Sequence, residues 1–241
     1  MFGRIGLVAL GVVAALTSVV ACGGSAAPAA VKAPPGVTTN ILASGRLESV
    51  PSGTLFVNYL KLPQAAAGSI KHKHLAGFVY AVAGTVEMDI EGAAPLIIQP
   101  GQAAFVGANI MHNHLNSGAV ANDWWFVALR PAASRPLATI VSGQKELYTT
   151  GDLTQISAGQ YAETLTNNVL PANGVDRQTG SSSLRVLYVL DGKVTVSGDA
   201  GMAGELAIGT GAYWLPGANL SVTASPTGAH YLLFNLTPAS S

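Results

Sequence analysis

The distribution of apolar and polar residues divides this chain into one unbroken apolar run and a long series of short alternating segments. After the basic residue Arg4, positions Ile5 to Ala21 are almost continuously apolar. A charged start followed by such a run has the order of a secretory signal and is short for a transmembrane helix. Further along, Ser69, Lys71 and Lys73 fall on one face of an extended strand, and Ile70, His72 and His74 on the other. Val86, Met88 and Ile90 alternate with Glu87 and Asp89, so the apolar set should face inward and the two carboxylates outward. A third segment places Ile110, His112, His114 and Asn116 on one face and Met111 and Leu115 on the other, and either face could be the buried one. With 28 glycines and 13 prolines punctuating short strands, and few stretches of helical period, the chain reads as all-β.

An internal repeat sharpens this picture. Phe78-Val79-Tyr80-Ala81-Val82-Ala83-Gly84-Thr85-Val86 parallels Arg185-Val186-Leu187-Tyr188-Val189-Leu190-Asp191-Gly192-Lys193-Val194, each a strand, a glycine turn and a strand. A second pair follows, Gly101 to Val106 beside Gly209 to Gly217, and both Gly84 to Gly101 and Gly192 to Gly209 span 17 positions. A fixed register implies a duplicated module rather than a compositional coincidence. Pro131, Ser134, Pro136, Ser142 and Gly143 break the chain between the copies, which predicts modules over 45–135 and 150–238.

Composition removes several alternatives. At 241 residues, 49% hydrophobic and 10% charged, the chain can bury a substantial core. Twelve Lys plus Arg balance twelve Asp plus Glu, leaving no field to gather nucleic acid or an anionic membrane surface. Cys22 is the single cysteine, so no intrachain disulfide can form. Val19-Val20-Ala21-Cys22 resembles the lipobox of bacterial lipoproteins. The resemblance implies a signal peptide over 1–21, lipidation at Cys22, and an exported protein held to the extracytoplasmic side of the cell membrane by that anchor only. The plainer reading is an uncleaved apolar anchor ending in a free thiol. Residues 22–44, rich in Gly, Ala and Pro over their first part, read as a tether.

Four of the five histidines fall in two His-x-His pairs, His72-Lys73-His74 and His112-Asn113-His114. Two imidazoles one pleat repeat apart on the inward face of a strand can bind one ion together. Gly68, His72, His74 and Gly84 resemble the first motif of the cupin superfamily, and Gly101, Gly107, Asn109, His112 and Asn116 resemble its second. The resemblance implies two tandem jelly-roll β-barrels, a bicupin, with His72, His74 and His112 converging on a metal in the first. The family's motif glutamate is missing, its place taken by Gly77, and Gly107 and Asn109 replace the usual Pro and Gly. His114 is the candidate fourth ligand, and one divalent ion, whether iron, manganese, zinc or copper, suits such a set. Aligned on its glycines, the second copy has Gly180, Ser182 and Ser221 where the first has His72, His74 and His112, so no metal set is expected there.

Three functions are consistent with these features. One is a metal-dependent enzyme of the dioxygenase or isomerase type acting on a small molecule, with catalytic residues unassigned and Tyr80 a candidate proton carrier. Another is a binding or sensing module that holds a small ligand, and the third is a structural envelope protein whose histidines bind nothing. A homodimer is compatible with each, and nucleic acid is not an expected partner. Arg185, aligned with Gly77, is expected in a solvated or ion-paired role before an anion-binding one. Trp124, Trp125 and Phe126 are expected to pack the core, and His230 to be structural.

Overall fold

The computed structural model describes residues 36–199 and 203–239. The expected signal segment, Cys22 and most of the tether lie outside the described residues. The described residues form sixteen strands, one 3-10 turn at Ala132–Ser134 and no α-helix. In chain order the strands are β1 (Thr38–Val50), β2 (Leu55–Gln64), β3 (Ser69–His72), β4 (Gly77–Ala83), β5 (Val86–Ile90), β6 (Leu96–Ile98), β7 (Ala103–Val106) and β8 (His112–Leu115). There follow β9 (Asn122–Pro131), β10 (Lys145–Thr149), β11 (Gly159–Leu170), β12 (Val175–Gln178), β13 (Leu184–Ser197), β14 (Gly204–Ala207), β15 (Gly211–Trp214) and β16 (Leu220–Pro238).

The first jelly roll is built of two sheets, β10-β2-β9-β4-β7 and β3-β8-β5-β6. The second is one bent sheet running β1-β11-β16-β13-β14, with β12 on β16 and β15 on β13. Here the long strands β13 and β16 do the work of the pairs β4 plus β5 and β8 plus β9. The duplicated register is reproduced in the hydrogen bonding. Gly77 pairs with Val106 and Val86 with Ile98 in the first copy. The residues 108 positions on, Arg185 with Trp214 and Val194 with Leu206, pair in the second. The repeated glycines answer to the backbone: Gly84 and Gly192 have φ of 69° and 71°, and Gly101 and Gly209 have φ of 83° and 81°. These are left-handed conformations that an L side chain resists.

Alternation places the side chains. In β5 Val86 and Met88 are fully buried while Asp89 is exposed and Glu87 only half-buried, as the pattern predicts. β2, β4 and β9 differ, because Leu55 to Leu60, Phe78 to Ala81 and Trp124 to Leu129 are buried at every position. One face of that sheet lines the first barrel, with Leu60, Leu62, Val79, Ala81, Trp124 and Phe126. The other face meets the second copy in a shared core that includes Val57, Tyr59, Phe78, Trp125, Tyr188 and Phe234. In that core Tyr59 stacks on Tyr188 at 5.2 Å and donates its hydroxyl to the Val186 carbonyl at 3.0 Å. A third cluster, with Leu187, Val189, Trp214, Val222 and Tyr231, fills the second barrel.

The two copies also exchange strands. β1 pairs along its length with β11 of the second barrel, Gly45 opposite Glu163, and β10 pairs with β2 of the first, Lys145 opposite Lys61. Sequence limits of 45–135 and 150–238 follow the order of the chain, whereas position 45 falls inside β1 and β10 precedes position 150 while belonging to the first sheet.

Candidate metal centre

β3 and β8 are antiparallel neighbours, with His72 opposite His112 and Ile70 opposite His114. Their common inward face brings the two His-x-His pairs together. His112 and His114 are 1% and 0% exposed, so the histidine face of the second segment is the buried one. Ile110, expected on that face, lies before the strand begins and is exposed. His74 continues the alternation just beyond β3. Asn109, at φ 59°, donates its backbone N–H to the His74 carbonyl at 2.8 Å. Asparagine can stand there in place of a motif glycine because it is among the few L residues that tolerate the left-handed region.

One nitrogen from each of His72, His74, His112 and His114 lies within 4.8 Å of those of the other three. Ring centroids are 4.8 Å apart for His72 and His112, 4.6 Å for His74 and His112, and 5.2 Å for His72 and His74. The Nε2 atoms of His112 and His114 are 3.1 Å apart. His112 Nδ1 donates to the Ile110 carbonyl at 2.9 Å, and His74 Nδ1 donates to the Leu75 carbonyl. Each bond places the ring proton on Nδ1 and leaves Nε2 as the nitrogen with the lone pair, the orientation that hydrogen-bond partners impose on metal-binding histidines. Both nitrogens of His72, Nε2 of His74 and Nδ1 of His114 are buried without a hydrogen-bond partner.

Burial determines the protonation state. It lowers His74 to about 3 and carries His114 well below its ordinary value, and it lowers His72 with a further contribution from the neighbouring His112. These three imidazoles are therefore neutral at pH 7, as a ligand must be. Aromatic rings hold two of them in place: His114 stacks on Trp124 with centroids 4.1 Å apart and planes 11° apart, and His74 packs on Phe126 at 4.1 Å. Gln64 Nε2 donates to the His114 carbonyl at 2.8 Å, and Asn116 Nδ2 donates to the carbonyls of Ala65 and Val120 at 3.0 and 2.9 Å, tying down the turn after β8.

Steric packing accounts for the missing glutamate. A Cβ at Gly77 would sit 2.6 Å from the Val127 carbonyl oxygen, 2.7 Å from the Phe126 ring and 2.9 Å from Ala128 Cβ. That space is occupied by β9. Glu87 and Asp89 pair across the sheet with Leu115 and Asn113 and are not among the residues gathered at the cluster.

A cavity of about 210 Å³ opens on His72 and His74. Its walls include Leu60, Leu62, Trp124 and Phe126 from the barrel. Arg130, at the end of β9, also lines it, as do Leu137, Ile140 and Gln144 of the segment joining the copies. Sequence reasoning treats that segment only as a boundary; its part in the wall follows from its return across the barrel mouth. Tyr80 is not part of this site. It lies on the opposite face of β4, in the shared core against Trp125 at 5.9 Å, too far round the sheet to move a proton here. The three aromatics of β9 split in the same way, Trp124 and Phe126 to the histidines and Trp125 to the shared core.

The second barrel carries no counterpart of the cluster among the described residues, although its equivalent positions differ from those counted along the sequence. Gln178 lies opposite Leu220 on β12 and β16 as His72 lies opposite His112 on β3 and β8, and Asp176 lies opposite Val222 as Ile70 lies opposite His114, so Gln178, Leu220 and Val222 take the places of His72, His112 and His114. Two more residues lie between Gln178 and Arg185 than between their counterparts His72 and Gly77, which shifts a count made from the glycines. Arg185 is neither solvated nor ion-paired on the surface. It is fully buried and donates to the carbonyls of Ala218 and Gln178. His230 bonds across the sheet to the Asn167 side chain, a structural role.

Two jelly-roll barrels in one chain, with a histidine cluster inside the first, define a two-barrel cupin fold. No family model matches the sequence, and no curated protein does. Among solved structures the chain is similar to procruciferin, an 11S globulin from Brassica napus, at 11% identity and a TM-score of 0.53 over 81% of this chain and 84% of that one. AerE from Microcystis aeruginosa is similar at 14% identity and a TM-score of 0.51, over 75% of this chain and 87% of that one. A variant of the salicylate 1,2-dioxygenase of Pseudoaminobacter salicylatoxidans is similar at 12% identity and a TM-score of 0.50, over 76% and 71%. At such identities the likeness concerns the fold.

Proposed function

We propose that this protein binds one divalent metal ion through His72, His74, His112 and His114 and acts on or holds a small molecule in the adjoining cavity. The observation that carries this reading is the set of four imidazoles with nitrogens within 4.8 Å of one another, those of His72, His74 and His114 including buried atoms without a partner. Leaving several polar atoms unpaired in one place costs about 1–3 kcal/mol each, a cost that coordination would relieve at one nitrogen of each ring. Four imidazoles suit zinc, copper or iron, and manganese less well, because manganese favours carboxylate oxygen. Imidazole ligands carry no charge and leave the ion its own, and such an ion polarises a bound carbonyl or lowers the pKa of bound water. The chain's own part is to orient the rings through the Ile110 and Leu75 carbonyls and to shield them with Trp124 and Phe126.

Elemental analysis of the protein, purified without a histidine tag, tests this. Near-stoichiometric metal is expected in the wild type, with at least a tenfold loss in a His72→Ala/His74→Ala variant. Absence of metal after exposure to iron, zinc, copper and manganese in turn would refute it.

A binding or sensing role is the second reading, favoured by Tyr80 facing away from the site. Turnover of a bound small molecule by the metal-loaded protein would separate enzyme from receptor. At the N-terminus we propose lipidation of Cys22 and anchoring at the extracytoplasmic membrane face. Palmitate labelling of cells should mark the wild type and not Cys22→Ala, and equal labelling of the two would exclude the anchor.

A further inference from the structure

Arg130 is a half-buried cation in the cavity wall, close to the histidines. It follows Trp124, Phe126 and Ala128 on the inward face of β9, and its guanidinium carbon lies 5.5 Å from the centroid of Phe126. His74 packs on the same ring at 4.1 Å, so these two distances bound the separation of guanidinium and imidazole at about 9.6 Å. Nε donates to Asn58 Oδ1 at 2.9 Å, and Asn58 Nδ2 in turn donates to Glu146 at 3.2 Å, so the side chain is held from behind. The Glu146 charge favours the charged guanidinium against its burial, but it reaches Arg130 through Asn58 rather than by an ion pair. Among the described residues neither terminal nitrogen donates to a protein acceptor, and Arg130 forms no ion pair.

An arginine built for structure alone commits its fork to carboxylates or carbonyls. Arg185 in the second barrel does so, donating from both terminal nitrogens to main-chain oxygens. Arg130 presents the same fork, oriented through Nε, to a cavity whose wall combines Leu60, Leu62, Leu137 and Ile140 with the polar side chains of Lys73 and Gln144. A planar fork with free donors matches a carboxylate. The apolar part of the wall, four aliphatic side chains with Trp124 and Phe126, matches a hydrocarbon body. The volume, about 210 Å³, falls below the ~300–1,000 Å³ of sites for drug-sized ligands and calls for a small one.

We propose that Arg130 anchors the carboxylate of a small, otherwise apolar acid whose other end reaches toward His72 and His74. The proposal deepens the reading of the site given above and relies on it only for what meets the far end of the ligand. The anchor itself needs no metal.

Calorimetric titration with butyrate and benzoate, each beside its neutral amide, tests the anchor on the full chain, both metal-loaded and after chelation, with metal content measured in every sample. Wild type is expected to bind at least one acid about tenfold or more tighter than its amide, the size of a charge-assisted hydrogen bond. Arg130→Gln should abolish that preference while metal content stays unchanged. Arg130→Lys, which keeps the charge and the stem but not the fork, should recover part of it and guards against loss through misfolding. Equal binding of acid and amide by wild type, no binding of either acid, or undiminished preference in Arg130→Gln would each overturn the proposal. Selectivity for the acid that survives chelation, in a protein that takes up no metal, would uphold the anchor and refute the metal centre.

Discussion

Gly77 shows how a single missing side chain can follow from packing. The position resembles one that carries a carboxylate, yet the Phe126 ring and the Val127 carbonyl lie where its Cβ would stand. Restoring the carboxylate should therefore injure the protein rather than complete the site. Gly77→Glu is expected to lose about 1–3 kcal/mol in chemical denaturation, the usual cost of overpacking, with no gain in metal affinity; unchanged stability would contradict the packing argument. Glu163 poses the reverse problem. It is completely buried on the face of β11 that carries Tyr161 and Leu165, neither carboxylate oxygen has a partner, and burial raises it to about 8. Its folded-state value lies above its unfolded one, so the folded protein holds a proton that the unfolded chain has lost. Stability from this group is complete below about 4.5, declines as pH rises from there, and is lost above about 8. Glu163→Gln is expected to remove that decline and to stabilise the protein at pH 9 by a few kcal/mol, since each tenfold difference in proton affinity between the two states is worth ~1.4 kcal/mol. Parallel denaturation curves at pH 5 and pH 9 measure it, and an identical pH dependence in the two proteins would show that the carboxyl is not carried into the core protonated.

Among the strands, most of what matters is legible as alternation. The period-two pattern of Ser69 to His74 places both histidines on one face, and the structure brings that face inward. The same pattern in β8 leaves two faces open, and the choice is made by Trp124, which stacks on His114 and draws that side into the barrel. The continuous apolar runs of β2, β4 and β9 signal burial on both faces but cannot name what covers each. One cover is the first barrel's own second sheet and the other is the second barrel, so Tyr80 belongs to the shared core and only its neighbours Val79 and Ala81 face the site side. Equivalences between the copies hold wherever ladder register is preserved, as from Gly77 to Val106 and from Arg185 to Trp214. They slip at β12, where two extra residues between Gln178 and Arg185 move the partner of Leu220 to Gln178.

Across the whole chain, the exchange of β1 and β10 makes each barrel depend on residues that precede or follow its own run. Among the described residues, nineteen buried side chains, drawn from both copies, make up the shared core. Exposing even four of them would cost roughly 6–12 kcal/mol at ~1.5–3 kcal/mol each, comparable to the ~5–15 kcal/mol by which a protein is folded at all. Residues 150–238 expressed alone are therefore expected to aggregate or remain unfolded, having lost both the shared core and the strand that covers the edge of β11. Residues 38–241 are expected to melt in a single cooperative transition by calorimetry. Two separated transitions, or a soluble and folded 150–238 fragment, would show that the copies are independent.

The features readable from the chain alone are local and periodic: the β class, the duplication and its 17-residue spacing, the shared face of each histidine pair, and the loss of a metal set from the second copy. They follow from side-chain alternation and from glycines that turns require, both of which act over a few residues. Folding in three dimensions was needed to settle which nitrogens meet, why glutamate cannot occupy position 77, that Arg130 and the joining segment line the cavity, and that β1 and β10 change partners. Each of those depends on residues far apart in sequence being packed against one another, and in a chain whose core is shared between two copies no stretch of sequence carries the shape of its partner.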